Sequence, residues 1–293
     1  MYEPFFGFRE KPFSLLPDPA FLYLGRRHSM ALAMLEYGIR NQAGFTVVAG
    51  EIGAGKTTLI RRLLDSIDTD VTVGLISHTH SSFSELLEWV LLAFGLEYQG
   101  LEKVGRFQRF NEFLIGEYAK RRRTVLIIDE AQNLGPETLE ELRMLSNINA
   151  DKSLVLQLVL VGQPELRDLL RRPELKQFAQ RVSVAFYLEA LSADEVTSYV
   201  RHRLKVAGGD PQLFDDDAMT LLHQASRGVP RVINTICDMA LVYAYAAGQP
   251  GIDRAILEEV VRDRAATGLF DEPPTQEEVA ESSPLGPPRV LRR

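Results

Sequence analysis

Phe45-Thr-Val-Val-Ala-Gly50-Glu-Ile-Gly-Ala-Gly-Lys56-Thr57 is the stretch on which the fold of this chain turns. A short, largely apolar run of the kind found in buried parallel strands passes directly into a glycine-rich bend that fits G-x-x-x-x-G-K-[ST]. The glycines let the loop fold so that its backbone N–H groups face a phosphate, and a helix starting at Lys56 adds its positive end. Gly50, Glu51, Ile52, Gly53, Ala54, Gly55, Lys56, Thr57 and Thr58 are therefore the expected phosphate cradle. Within it, Lys56 would reach the β- and γ-phosphates and the Thr57 hydroxyl would bind Mg²⁺. A plain glycine-rich turn with an exposed lysine would require neither the apolar run before it nor the amphipathic segment Lys56–Ser66 after it.

Working outward, Val71–Ser77, Thr124–Ile128, Leu154–Val161 and Val182–Leu188 repeat the apolar, strand-like pattern of Phe45–Ala49. Helical periodicity separates them at Lys56–Ser66, Phe83–Phe94, Phe107–Arg121 and Pro136–Asn147. Strands alternating with helices of this length predict a five-stranded parallel α/β sandwich, covered on both faces, over residues 45–190. The third run ends in Asp129-Glu130. That places Asp129 beside the magnesium through its water shell, and Glu130 where it can polarise a water attacking the γ-phosphate. An acid after the Asp points to ATP hydrolysis with a built-in base, whereas a GTPase positions its water with glutamine.

Beyond Leu188 the strand signal stops. Ser192-Ala-Asp-Glu195 is a capping box, followed by Val196, Tyr199, Val200 and Leu204 at helical spacing, and then by helical stretches Phe214–Ala225, Pro230–Ala247 and Asp253–Ala265. A small all-helical lid domain is expected over 191–266. Proline, acids and arginine dominate 267–293, which reads as a disordered tail. Residues 1–44 read as an aromatic, proline-rich segment with a first helix, packing on the sheet domain.

The whole chain has 293 residues, 45% hydrophobic and 25% charged, which excludes fibrous and wholly disordered classes. Lys plus Arg total 33 against 40 for Asp plus Glu, and the net charge of -7 makes general nucleic-acid binding unexpected, leaving room only for a local basic patch. A single cysteine, Cys237, excludes a disulfide framework and a multi-cysteine zinc site, and reads as a core residue. The opening residues do not form a signal peptide, and the longest apolar runs fall short of a membrane span. A cytoplasmic location is expected.

Four groups of residues together carry a family resemblance: the phosphate loop, Asp129-Glu130-Ala-Gln-Asn133, Gly162-Gln-Pro-Glu-Leu166 and Gly228-Val-Pro-Arg-Val-Ile-Asn234. They resemble AAA+ ATPases of the ExeA type, which serve bacterial general secretion. Met1 to Phe13, Pro17-Asp-Pro19 and Phe21-Leu-Tyr-Leu24 strengthen the likeness. Within that group, Leu35-Glu-Tyr-Gly38, Gly50 to Gly55 and Glu140-Glu-Leu-Arg-Met-Leu-Ser-Asn147 are similar to the ATPase of exosortase (PEP-CTERM) and exopolysaccharide loci. The resemblance implies ATP and Mg²⁺ as ligands, a homo-oligomer, and a protein partner in an inner-membrane secretion or polysaccharide-export complex. It places Gln163 at the sensor-1 position, orienting water, and Arg231 at sensor 2, where the guanidinium reaches the γ-phosphate from the lid. Arg181, before the last strand, would act on a neighbour's ATP, with Arg171 and Arg172 as competitors. Aromatic and apolar residues of the opening segment would pack near the adenine or cover the sheet edge. Proteins of this type often continue into a membrane span and a peptidoglycan-binding domain; the polar tail here points away from direct cell-wall contact. Two other readings share much of the pattern: a DNA-binding ATPase of the transposition type (TniB- and MuB-like), and a nucleotide-gated binding module with little turnover. His78 and His80 lack acids or cysteines at ligand spacing, and Arg121 to Arg123 read as a solvated helix end.

Overall fold

Apolar runs that would be buried on both faces become a single parallel sheet. In the computed structural model, which describes residues 1–16, 18–77, 85–150 and 153–267, the strands are β1 (Phe45–Gly50), β2 (Val71–Ile76), β3 (Arg123–Ile128), β4 (Leu156–Gly162) and β5 (Val182–Leu188). Their order is β2-β3-β4-β1-β5 and every neighbouring pair is parallel. The expected strand from Leu154 begins at Leu156, because Ser153–Leu154 pairs instead with Asn149–Ala150 in a small antiparallel hairpin. In chain order the helices are α1 (Glu3–Phe6), α2 (Arg26–Arg40), α3 (Lys56–Ser66), α4 (Leu86–Ala93), α5 (Lys103–Ala119), α6 (Pro136–Leu145), α7 (Pro164–Leu170), α8 (Lys176–Ala179), α9 (Ala193–Val206), α10 (Asp216–Ser226), α11 (Pro230–Ala247) and α12 (Arg254–Ala266). The segment His78 to Ser84 and the expected tail beyond Thr267 lie outside the described residues.

Side chains that alternate along the strands divide the core in two. On one face, Val125, Ile127, Val159 and Val161 pack with Leu35 of α2 and Leu59 and Leu63 of α3. On the other, Leu126, Ile128, Leu158 and Leu160 pack with Phe110, Leu139, Leu166 and Phe178 from α5 to α8. Parallel pairing fixes which strand ends meet. Ala49 lies opposite Gly162, Gly50 opposite Leu188, and Ile128 between Ile76 and Leu160. The chain therefore leaves β1, β3 and β4 at the same edge, which carries the phosphate loop, Asp129-Glu130 and Gln163. Carboxyl ends of parallel strands are where α/β sheets bind ligands.

The third core belongs to the helical part, and it corrects the expectation for residues 1–44. Of the described residues 1–44, those that join the sheet's core come from α2. Tyr2, Phe8, Phe13 and Phe21 are buried among Val196, Leu204, Phe214, Met219, Ile236 and Leu241 of the helical part, and do not cover a sheet edge. The physical reason lies in the partners offered there. Arg203, 7% exposed, donates to the carbonyls of Pro12 (2.6 Å) and Ser14 (3.2 Å), and its guanidinium lies 4.9 Å over the Phe21 ring. Tyr2 O–H donates to Asp238 of α11. Phe13→Ala is therefore expected to remove about 3–5 kcal/mol of stability, read as a lower midpoint in chemical denaturation. An unchanged midpoint would mean that the segment docks only loosely.

Arg121 and Arg122 lie exposed just past the end of α5, as a solvated helix end would, whereas Arg123 opens β3 and pairs with Asp70 at 2.8 Å. Cys237 is fully buried.

Candidate functional site

Glycine geometry shapes the loop between β1 and α3. Gly53 and Gly55 have φ of +79° and +95°, left-handed values that a side chain adopts only under strain. Gly53 is also sterically closed: a Cβ there would lie 2.5 Å from the Arg231 Cβ. Gly55 caps α3, so the helix begins at Lys56 with its free N–H groups turned to the loop. Lys56 is 6% exposed, and its Nζ donates to Gly50 O (2.7 Å) and Glu51 O (2.9 Å). Burial draws its pKa below the ordinary lysine range, against the pull of Glu130 and Asp129.

The Thr57 hydroxyl donates to Asp129 Oδ2 at 3.0 Å. Burial pushes the Asp129 carboxyl above its ordinary value, opposed by hydrogen bonds from the Glu130 N–H and from Thr57. A hydroxyl and a carboxylate side by side form a hard-oxygen donor pair. This pair could hold Mg²⁺ with phosphate and water oxygens completing the shell. Glu130 adopts φ +54°, rare for a residue with a Cβ, and opens the 3₁₀ turn Ala131–Asn133. Its Oε2 accepts from Gln132 Nε2 (2.6 Å) and Gln163 Nε2 (3.0 Å).

These groups line one cavity of about 320 Å³. Ile52, Gly53, Gly55, Lys56, Thr57, Thr58, Glu130, Gln163 and Arg231 all face it. Gly50 remains in the sheet, Asp129 stands behind Thr57, and Ala54 is buried with its carbonyl on His28 Nε2 (2.8 Å). The Glu51 side chain turns away and accepts from the Tyr187 hydroxyl at 2.7 Å; burial and that carboxylate push the tyrosine pKa up to about 12. Arg231, in the first turn of α11, is brought in because its backbone N–H reaches Gly53 O at 3.3 Å. Arg181 is not brought in. It precedes β5 at Val182, which pairs with Phe45 at the opposite end of β1, about 17 Å from Gly50 at roughly 3.3 Å per residue. Its guanidinium donates to Ser146 Oγ at 3.3 Å. Arg171 and Arg172 make exposed pairs with Asp168 and Glu174.

Several contributors escape the sequence pattern. His28 enters from α2 beneath the loop, donating from Nε2, and burial keeps it neutral by lowering its pKa. The far end of the cavity is walled by Leu16, Phe21 and Tyr23 of the opening segment and by Tyr199, Arg203 and Asn234 of the helical part. These last three form a chain: Arg203 donates to Tyr199 O–H (2.9 Å), which donates to Asn234 Oδ1 (2.8 Å). Asn234 closes the Gly228–Asn234 motif, whereas no local motif marks Arg203 or the role of Tyr199, which reach the cavity through long-range packing.

A five-stranded parallel sheet of this order, a glycine loop ending in Lys-Thr, an Asp-Glu strand end and a helical C-terminal part define a P-loop protein of the AAA+ class, and the chain belongs to the AAA+ ATPases of the ExeA type. Residues 39–170 match the AAA domain family. General secretion pathway protein A of Aeromonas hydrophila is 43% identical over 251 residues, which are 85% of this chain. The chain spans about half the length of that relative, 46% of it. Among solved structures, the fold resembles Cdc6p of Pyrobaculum aerophilum (TM-score 0.66, 19% identity, 93% of this chain and 74% of that one). It also resembles the ORC2 protein of Aeropyrum pernix, solved as ADPNP–ADP complexes (TM-score 0.64, 16% identity, 94% and 75%). Among the described residues no helix is long and apolar enough to cross a membrane.

Proposed function

We propose that this protein binds ATP with Mg²⁺ and hydrolyses it to drive or regulate assembly of an envelope secretion or exopolysaccharide-export system. The observation that carries this reading is the convergence, on one cavity wall, of Lys56, the Thr57–Asp129 pair and Glu130 with Gln163. Bound Mg²⁺ would supply charge neutralisation on the phosphate oxygens. Lys56 exchanges its two loop carbonyls for β- and γ-phosphate oxygens, and the N–H groups of Gly53 to Thr57 hold the remainder. Glu130 takes the proton of the attacking water, and Gln163 orients that water. Residues 45–190 act as the catalytic unit. The helical residues 191–266 act as the lid, with Arg231 reporting its closure on the γ-phosphate.

The process assignment draws on the 43% identity to general secretion pathway protein A. Its finer part draws on the exopolysaccharide-locus resemblance of Leu35 to Gly38 and Glu140 to Asn147. It places the protein at the cytoplasmic side of the inner membrane, held there through partners, and assembled with further copies of itself.

Glu130→Gln tests the chemistry. ATP affinity is expected to stay within a few-fold of wild type, while turnover falls by roughly 10²–10⁴, the ordinary worth of a general base. Turnover at the wild-type rate would remove Glu130 from that role. The same variant, trapped with ATP, should co-purify envelope secretion or polysaccharide-export components that Lys56→Ala does not retain.

A further inference from the structure

Gln132 has a role that the resemblance does not assign to it. Its Nε2 donates to Glu130 Oε2 at 2.6 Å, while its Oε1 accepts the backbone N–H of Gln163 at 2.9 Å. The partners fix the orientation of the amide. A backbone N–H can only donate and so demands the oxygen, and the carboxylate can only accept and so demands the nitrogen. Gly162 leaves room for this bridge, since a Cβ there would stand 2.7 Å from Gln132 Oε1. Gln163 closes the ring by donating its own Nε2 to the same Glu130 oxygen at 3.0 Å. The end of β3 and the end of β4 are thus joined through one side chain, at a glutamate whose left-handed backbone is itself held by the bond from its N–H to Asp129 Oδ1 (2.9 Å). A backbone in that region persists only where its surroundings over-determine it.

We propose that Gln132 is a positioning residue for hydrolysis, clipping the sensor strand to the base so that Glu130 and Gln163 keep one geometry toward the water. With Glu130 as the base proposed above, the clip has two consequences. It fixes the carboxylate rotamer, and it holds the Gln163 backbone beside that carboxylate.

Gln132→Met keeps the length and apolar stem of the side chain and deletes both bonds. In the full chain, kcat is expected to fall roughly 10- to 100-fold. Affinity for a non-hydrolysable ATP analogue, measured by titration, should remain within about twofold, because no phosphate contact is touched. Introduced into Glu130→Gln, the same change should lower the residual rate by less than it lowers the wild-type rate, since one of the two groups it positions is already gone. Gln132→Glu is the second variant. It keeps the acceptor for Gln163 N–H but places a like charge against Glu130, and should lower kcat at least as far as Gln132→Met does. An unchanged kcat in Gln132→Met or Gln132→Glu, with Glu130→Gln inactive, would overturn the clip and leave the base standing. A full additive loss in the double variant would overturn it as well. Wild-type turnover in Glu130→Gln is the separate result that would remove the base itself.

Discussion

Lys56→Ala is expected to abolish ATP binding and with it the thermal stabilisation that nucleotide confers. A ligand at a hundredfold excess over its Kd stabilises the folded state by about 2.7 kcal/mol, which in a chain of this size moves the melting temperature by roughly 4–5 °C. In the variant that shift should vanish. Stability without nucleotide should change little, and the reason lies in the local geometry. The ammonium is almost fully buried, and among the described residues it donates to the carbonyls of Gly50 and Glu51. Its deletion therefore removes a desolvated charge together with the bonds that compensate it. The measurement is melting with and without Mg-ATP. A nucleotide-dependent shift of wild-type size in Lys56→Ala would place phosphate binding elsewhere.

Arg181→Ala is expected to bind ATP normally and to hydrolyse it about 10³-fold more slowly. The prediction follows from Arg181 standing at the end of the sheet opposite its own phosphate loop, too far away to serve the cavity it would otherwise belong to. The proposed role for an arginine placed there is therefore one that passes from one subunit to the next. Mixing supplies the decisive measurement. Glu130→Gln subunits are inactive at their own loops yet carry Arg181, so combining them with Arg181→Ala subunits should restore part of the activity. Co-assembled mixtures without rescue at any ratio would count against action in trans, and full activity of Arg181→Ala alone would pass the role to Arg171 or Arg172.

How much of this was legible in the sequence depended on where each element's partners lie. The helix from Lys56 to Ser66 starts and stops where its own residues say, because Gly55 caps it and Ile67 turns extended. The capping box of Ser192 and Glu195 is realised with both of its bonds. Helix α5 begins at Lys103, earlier than Phe107, because its polar first turn carries no apolar periodicity. The limits of α2 could not be read at all. Its first turn carries Arg26 and Arg27, the wrong charge for a helix start, and Gly25 offers no side-chain cap. The missing acceptor is Glu195 Oε1, which takes the Arg26 N–H at 3.0 Å from the helical part. Gln132 was hidden for the same reason, since half of its meaning is the backbone of Gln163. The opening aromatics were visible as apolar groups, but composition alone could not tell the sheet from the helices as their destination.

The burial of Tyr2, Phe8, Phe13 and Phe21 among residues from Leu191 to Val260 also sets an order of events during synthesis. These aromatics leave the ribosome before the sheet, and their partners leave after it. Residues 45–188 can close their sheet in the interval, whereas the opening segment must wait in water with its rings uncovered. Joining it to the later helices closes a loop of about 170 residues, which adds roughly 4–5 kcal/mol of chain entropy, only slightly more than a loop half as long. The delay is therefore a matter of timing more than of final stability. The nascent chain is most exposed to aggregation after the sheet has formed and before α11 has been made.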